Sequence, residues 1–292
     1  MIVVGKFRFY RDKEKFMQPK TISECLMFST VRLEAEDGSS GTGFFYTYNI
    51  DDENICQVLV TNKHVVNNNP DEIMTFYLHL KGEDGNLCEN YKVKYQADWI
   101  FHSSKDLCFC FINPLFEYIK NVTGQKEVFT IPIDDTLVAS EENLETLSAL
   151  EEVVMVGYPI GLWDEKNNFP IFRSGYTASH PALDFNEEGI GLVDMACFPG
   201  SSGSPIFILN ENGYSDRDGN TYLGAKRIIL IGILYSGPVY RAEGEVIVRE
   251  IPTTNQAIWS TTSIMTNLGY YIKGAELHKF RDFIMEYIES HK

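Results

Sequence analysis

The sequence lacks any run approaching the roughly 20 consecutive apolar residues of a membrane-spanning helix, which excludes helical membrane proteins. Its start, Met1-Ile2-Val3-Val4-Gly5-Lys6-Phe7-Arg8, lacks the charged, apolar and small-residue order of a signal peptide. A cytoplasmic chain with reduced thiols is therefore expected, and Asn121-Val122-Thr123 carries no weight as a glycosylation acceptor. The six cysteines (Cys25, Cys56, Cys88, Cys108, Cys110 and Cys197) show no metal-ligand spacing, and Cys108 and Cys110 are too close for a finger. Positive charge is scarce: 25 Lys and Arg against 41 Asp and Glu leave a net charge of −16. Such a surface repels phosphate backbones, which argues against a nucleic-acid partner.

What is there reads as globular. Hydrophobic residues make up 44% and charged residues 23%, which rules out disorder as the main state. A chain of 292 residues fits one large domain or two smaller ones. Short β-rich runs alternate with turn signals at 25–34, 43–48, 55–61, 73–80, 91–97 and 107–112, then at 153–157, 171–178, 190–196, 204–209, 228–235 and 245–251. This pattern predicts a sandwich or barrel rather than alternating βα units. Residues 113–150 carry less pattern, with a short helix or loop expected over Leu144–Glu152, and 210–220 reads as a polar loop. Ala275, Leu277, Phe280, Phe283, Ile284, Tyr287 and Ile288 are spaced as one face of a C-terminal helix docked on the β body.

The chemistry centres on Phe198-Pro199-Gly200-Ser201-Ser202-Gly203-Ser204-Pro205. Small residues there force a tight turn, and glycines let backbone amides approach a ligand. A serine in such a turn can attack a carbonyl while the Gly200 and Ser202 amides face the developing oxyanion. Alone, a Gly/Ser/Pro turn is commonplace. Two further segments change its weight: Val58 to Val66, a strand ending at His64, and Ser103 to Phe111, in which Asp106 opens a strand. A serine hydroxyl needs a base to take its proton, and the base needs a carboxylate to orient it. Asp98 is a rival carboxylate, and Ser201 and Ser204 are rival nucleophiles. His79, His102, His180, His278 and His291 lack the Thr-Asn-x-His setting and read as surface or structural.

With these segments in view, the chain resembles the trypsin/chymotrypsin superfamily, in particular the bacterial branch that includes the Htr-type proteases. Thr61-Asn62-Lys63-His64-Val65-Val66 resembles its catalytic-histidine segment, Asp106-Leu107-Cys108 its aspartate, and Gly200-Ser201-Ser202-Gly203-Ser204-Pro205 its nucleophile turn. Ser39 to Phe44 resembles the glycine-rich strand entry, Gly232 to Gly237 the strand that pairs with substrate, and Leu268-Gly269-Tyr270-Tyr271 a pocket wall. His64 precedes Asp106 by 42 residues, and Asp106 precedes Ser202 by 96.

The resemblance implies an all-β fold of two packed six-stranded antiparallel β-barrels with a C-terminal α-helix. Residues 1–24 form an extension, 25–125 the first barrel with His64 and Asp106, 126–272 the second with Ser202, and 273–292 the helix. It implies a serine endopeptidase with His64, Asp106 and Ser202 as triad and the amides of Gly200 and Ser202 as oxyanion hole. Ala196, Leu234, Tyr235, Ser236, Gly237 and Gly269 are then the substrate-binding residues. No metal or other cofactor is called for. The expected partners are a protein or peptide substrate and an activating protein, with no nucleic acid and no membrane.

Ser201 stands where digestive trypsins carry an acid, so the trypsin-like start Ile2-Val3-Val4-Gly5 predicts no zymogen clip. The peptide-binding domain of Htr-type chains has no counterpart before Lys292. With small residues and no acid at the pocket base, an apolar side chain is expected before the scissile bond. Asp194, on the same strand face as Ala196, leaves a basic preference open. The alternative function is a catalytically silent binding or scaffold module on the same fold.

Overall fold

The computed structural model describes residues 18–51, 54–159, 162–245 and 259–290. The expected strand over 245–251 lies outside these residues beyond Glu245, as do the first 17 residues, with the zymogen-like start, and His291.

In the first half, α1 (Ile22–Leu26) is followed by β1 (Thr30–Ala35), β2 (Ser40–Asn49), β3 (Ile55–Thr61), β4 (Ile73–Lys81), β5 (Leu87–Gln96), β6 (Ile100–Phe101) and β7 (Cys108–Phe111). After α2 (Asn113–Val122) come β8 (Glu127–Val128) and β9 (Ile133–Asp134). The sheet order is β5-β4-β1-β2-β3-β7-β6, with β8 on β4 and β9 on β2. Nine strands thus stand where the resemblance implies six. The sheet's end strands β5 and β6 are separated in the chain by Ala97, Asp98 and Trp99 and, among the described residues, do not pair with each other, so this half is a large sheet rather than the closed six-stranded barrel expected. β8 and β9, which follow residue 125, also join this sheet.

The second half contains α3 (Glu141–Thr146), β10 (Glu152–Gly157), β11 (Ile171–Thr177), β12 (Ile190–Asp194), β13 (Pro205–Asn210), β14 (Gly213–Ser215), β15 (Thr221–Leu223), β16 (Arg227–Ser236), β17 (Val239–Glu245), β18 (Trp259–Met265), β19 (Leu268–Lys273) and α4 (Glu276–Ser290). A closed six-stranded barrel runs β10-β11-β12-β19-β16-β13. The all-β fold with a C-terminal helix is therefore what is seen, and the strand patterns at 55–61 and 153–157 match β3 and β10 within a residue.

Local chemistry explains the differences. Residues 25–29 are not strand, because Thr21 accepts from the Glu24 amide and the Glu24 carboxylate accepts from the Thr21 amide. This capping box starts α1 just upstream. The polar loop at 210–220 contains β14 and the turn of a hairpin that β15 completes just beyond it, stacked through Tyr214 and Tyr222. Over Leu144–Glu152 the chain finishes α3 and turns into β10.

One core cluster joins both halves. Phe44, Tyr46, Val60 and Phe109 of the first sheet meet Val156, Phe207, Ile233 and Ile272 of the barrel, and α4 closes it with Leu277, Phe280 and Ile284. The Tyr48 hydroxyl donates to the Leu277 carbonyl across this seam. Ala275, Phe283 and Tyr287 stay exposed, so the buried helix face is narrower than the sequence spacing suggests. Among the described residues no helix is long and apolar enough to cross a membrane.

Candidate active site

His64 sits in a single 3-10 turn, Lys63–Val66, at the end of β3. Val65 and Val66 bury into the core of the first sheet, and Asn67 ends the turn in the left-handed region at φ 54°. The turn therefore has an apolar underside and presents His64, 41% exposed at its side chain, on the opposite face. The preceding Asn62 is wholly buried and donates to the Asp106 carbonyl at 2.7 Å.

Asp106 lies in the 102–107 loop between β6 and β7, closed by the His102 amide on the Leu107 carbonyl. Its Oδ2 is 2.5 Å from His64 Nδ1, and its Oδ1 accepts from the His64 amide at 3.2 Å. Burial works to raise the Asp106 carboxyl. The His64 hydrogen bond and charge, with the His64 and Lys63 amides, outweigh it and hold the group below the usual carboxylate range. An ionised Asp106 fixes Nδ1 as the protonated ring nitrogen, leaving Nε2 as an acceptor. The rival Asp98 is exposed at the β5–β6 break. His79 and His102 are buried, His180 caps a local turn through the Ala182 amide, and His278 is exposed.

The Phe198–Ser201 turn is set by its residues. Pro199 fixes φ at its second position, Gly200 supplies φ 88° at its third, and the Ser201 amide donates to the Phe198 carbonyl at 3.0 Å. These are the requirements of a type II turn. Among the described residues the amides of Gly200 and Ser202 have no hydrogen-bond acceptor. Of the three serines, Ser201 and Ser204 are wholly buried with unpartnered hydroxyls, while Ser202 is part-exposed and opens on a cavity. The next residue, Gly203, adopts φ +85°, and a Cβ there would collide with the Thr42 carbonyl.

The two groups of residues meet at Thr42. Its amide donates to the Ser202 carbonyl at 2.9 Å, and its carbonyl accepts from the Thr61 hydroxyl at 2.7 Å, three residues before His64. Thus the Ser202 turn and the His64 strand share one anchor on β2. Among the described residues no hydrogen bond joins His64 to Ser202.

The cavity beside Ser202 has a volume of about 220 Å³ and is lined by Cys197, Phe198, Pro199, Leu234, Tyr235, Ser236 and Gly237. Burial pushes the Cys197 thiol up to about 12, against a weaker pull from the Arg173 charge, so this wall is neutral. Arg173 stacks over the outer face of Phe198, 4.8 Å from the ring centre. Among the described residues no carboxylate lines the cavity, and Asp194 is exposed at the end of β12.

Leu234, Tyr235, Ser236 and Gly237 therefore line the cavity as the sequence leads one to expect, while Ala196 and Gly269 do not. Gly269 lies beneath Cys197, whose sulfur fills the space a side chain would need. The backbone of Leu234 is also already engaged, with Ser204 through its amide and Gly203 through its carbonyl. The register of β16 on β19 shifts between Leu234 and Ser236, making Tyr235 the extra residue of a bulge. Sequence reasoning missed Cys197, Phe198 and Pro199 as walls, Asn62 as a support of the Asp106 loop, and Thr42 as the anchor. The signal for the last two was their place inside Thr61-Asn62-Lys63-His64 and Gly41-Thr42-Gly43.

Larger hollows of about 650 and 350 Å³ lie elsewhere, and none of His64, Asp106 or Ser202 lines them. Among the described residues no group of three His, Cys, Asp or Glu is placed to hold a metal ion.

The family model of a trypsin-like peptidase domain matches residues 41–214. Among solved structures, a scabies mite inactivated protease paralogue is similar at 12% identity and a TM-score of 0.46, over 88% of this chain and 95% of that one. Comparison with curated proteins gives no match.

Proposed function

The chain belongs to the trypsin-like peptidase domain family, and on that premise we propose that it is a serine endopeptidase using Ser202, His64 and Asp106. The observation that carries this reading is the 2.5 Å contact of His64 Nδ1 with Asp106 Oδ2, beside a serine turn anchored to the same strand. Ser202 Oγ attacks the peptide carbonyl and His64 Nε2 takes its proton. Asp106 holds the tautomer and stabilises the imidazolium. The amides of Gly200 and Ser202 donate hydrogen bonds to the carbonyl oxygen as negative charge develops on it. His64 then protonates the leaving amine, and water hydrolyses the acyl-enzyme with His64 again as base.

His64 and Ser202 lack a direct hydrogen bond. We read that last contact as one made when substrate, or an activating protein partner, enters the cleft. The backbone from Tyr235 to Gly237 pairs with the substrate as an added strand, since Leu234 is already engaged. The side chain before the scissile bond is apolar, because among the described residues the cavity has neutral walls and no carboxylate. An apolar cavity of about 150 Å³ holds a benzene ring, so one of about 220 Å³ takes a branched aliphatic or aromatic side chain.

The test is labelling by a fluorophosphonate, which reacts with activated serines. Wild type should label, while Ser202→Ala and His64→Ala, folded by circular dichroism, should not. A folded wild type that fails to label, alone and in native-host lysate, refutes the enzyme reading in favour of a silent binding module. Labelling retained by Ser202→Ala refutes the nucleophile.

A further inference from the structure

Thr42 is wholly buried, yet each of its polar groups is spent on a different part of the site. Its hydroxyl donates to the Gly200 carbonyl at 3.0 Å and accepts from the Tyr158 amide at 3.0 Å. Its amide donates to the Ser202 carbonyl, and its carbonyl accepts from the Thr61 hydroxyl. One residue of the first sheet thus holds the oxyanion glycine, the nucleophile, the strand leading to His64 and the end of a barrel strand.

The bond to Gly200 matters most. Gly200 has the widest backbone freedom of the turn, and its amide is one of the two proposed oxyanion donors. The Gly200–Ser201 peptide is pinned at both ends: its oxygen by the Thr42 hydroxyl, its N–H by the Phe198 carbonyl. Removing the hydroxyl frees the carbonyl end. It also leaves two buried backbone groups, the Gly200 carbonyl and the Tyr158 amide, without a partner, and the turn can satisfy the first only by rotating. Rotation about Gly200 carries its amide away from the position where oxyanion charge develops. An amide displaced in this way loses the preorganisation that makes it effective.

We propose that Thr42 is a positioning residue that sets the oxyanion turn through Gly200 and, through Thr61, keeps it in register with His64. The proposal rests on the serine-protease reading above. It does not require Thr42 to touch substrate.

The experiment compares wild type, Thr42→Val and Thr42→Ser by the concentration dependence of fluorophosphonate labelling. In that reaction the Ser202 Oγ–P bond forms as the P–F bond breaks, fluoride leaves, and the serine proton passes to His64. The phosphoryl oxygen occupies the oxyanion site. Valine keeps the shape of threonine and lacks its hydroxyl. Thr42→Val should lower the limiting rate about 10- to 100-fold, less than loss of an oxyanion donor itself, with half-saturation changed less than about 3-fold. Thr42→Ser should restore the rate to within about 3-fold, because it returns the hydroxyl. A merely structural role lowers the melting temperature of Thr42→Val and leaves the limiting rate of the folded protein intact; that result overturns the inference alone. A wild type that does not label overturns the protease reading and this inference together. Should Thr42→Val fail to fold, Thr61→Val carries the test. It breaks the link to the His64 strand and should also lower the limiting rate, and an unchanged rate overturns the proposal.

Discussion

Acid should weaken this protein through one buried histidine. His79 lies on β4 opposite Asn90 of β5, with Nε2 3.0 Å from the Asn168 carbonyl and its ring packed edge-on to Phe28. Nδ1 is buried without a hydrogen-bond partner. Burial drives its pKa down to about 4, only partly countered by the hydrogen bond to the Asn168 carbonyl and the neighbouring Asn90 side chain. The unfolded chain carries the ordinary value near 6.5. Between these values the unfolded state binds the extra proton, so stability is full above about pH 6.5 and falls as pH drops toward 4. At about 1.4 kcal/mol per pH unit, the gap amounts to about 3 kcal/mol, a large fraction of a typical net stability. Urea unfolding of wild type and His79→Gln, followed by fluorescence from pH 7 to 4, measures it. Glutamine can still donate to the Asn168 carbonyl and has no proton to gain. Wild type should lose about 3 kcal/mol more than the variant across that window. His102, whose pKa burial also lowers against the pull of Glu276, titrates in both proteins and cancels in the difference. Parallel stability curves would refute the reasoning. The same contact ties the first sheet to the segment between β10 and β11, so the acid-sensitive group sits at the seam of the two halves.

Two other perturbations probe the fold and the cavity. Phe280 packs against Phe109 at 4.8 Å and against His102 at 5.3 Å, so Phe280→Ala should cost about 3–5 kcal/mol, read as a shift in the urea midpoint. A cost under about 1 kcal/mol would mean that α4 is not part of the core. Peptide libraries varied at the residue before the scissile bond should show cleavage after Leu, Met or Phe, and a preference for Lys or Arg would show that the neutral cavity is not the specificity site.

Much of the site was legible because its chemistry is carried by short contiguous motifs. The Thr-Asn-x-His run marks a strand end whose two following valines must bury, which leaves His64 facing outward. Pro199-Gly200 dictates a type II turn from backbone preferences alone. The pocket was not legible in the same way. Ala196 and Gly269 look like floor and wall in sequence, but the one-residue bulge at Tyr235 re-aims β16, and Cys197 drops onto Gly269. A single inserted residue moves side chains from one sheet face to the other, and no run of sequence announces it. Two short strands of the first sheet were hidden for a similar reason. β8 and β9 are two residues each, too short to carry a period, and exist only because β4 and β2 offer open edges.

The sequence by itself determined an all-β chain with a C-terminal helix, the acidic surface, and the candidate residues His64, Asp106 and Ser202. The first two follow from alternation and charge, which act within a few residues, and the three candidates from the resemblance of their short motifs to the trypsin-like family. Only the tertiary structure decided that Thr42 is the shared anchor, that Ser201 and Ser204 are sealed while Ser202 is open, and which side chains wall the cavity. Those outcomes depend on hydrogen bonds such as that from Thr42 to Gly200, which spans 158 residues. Such a bond forms only after both halves have closed on the common core, where a buried polar group must find whatever partner the fold brings to it.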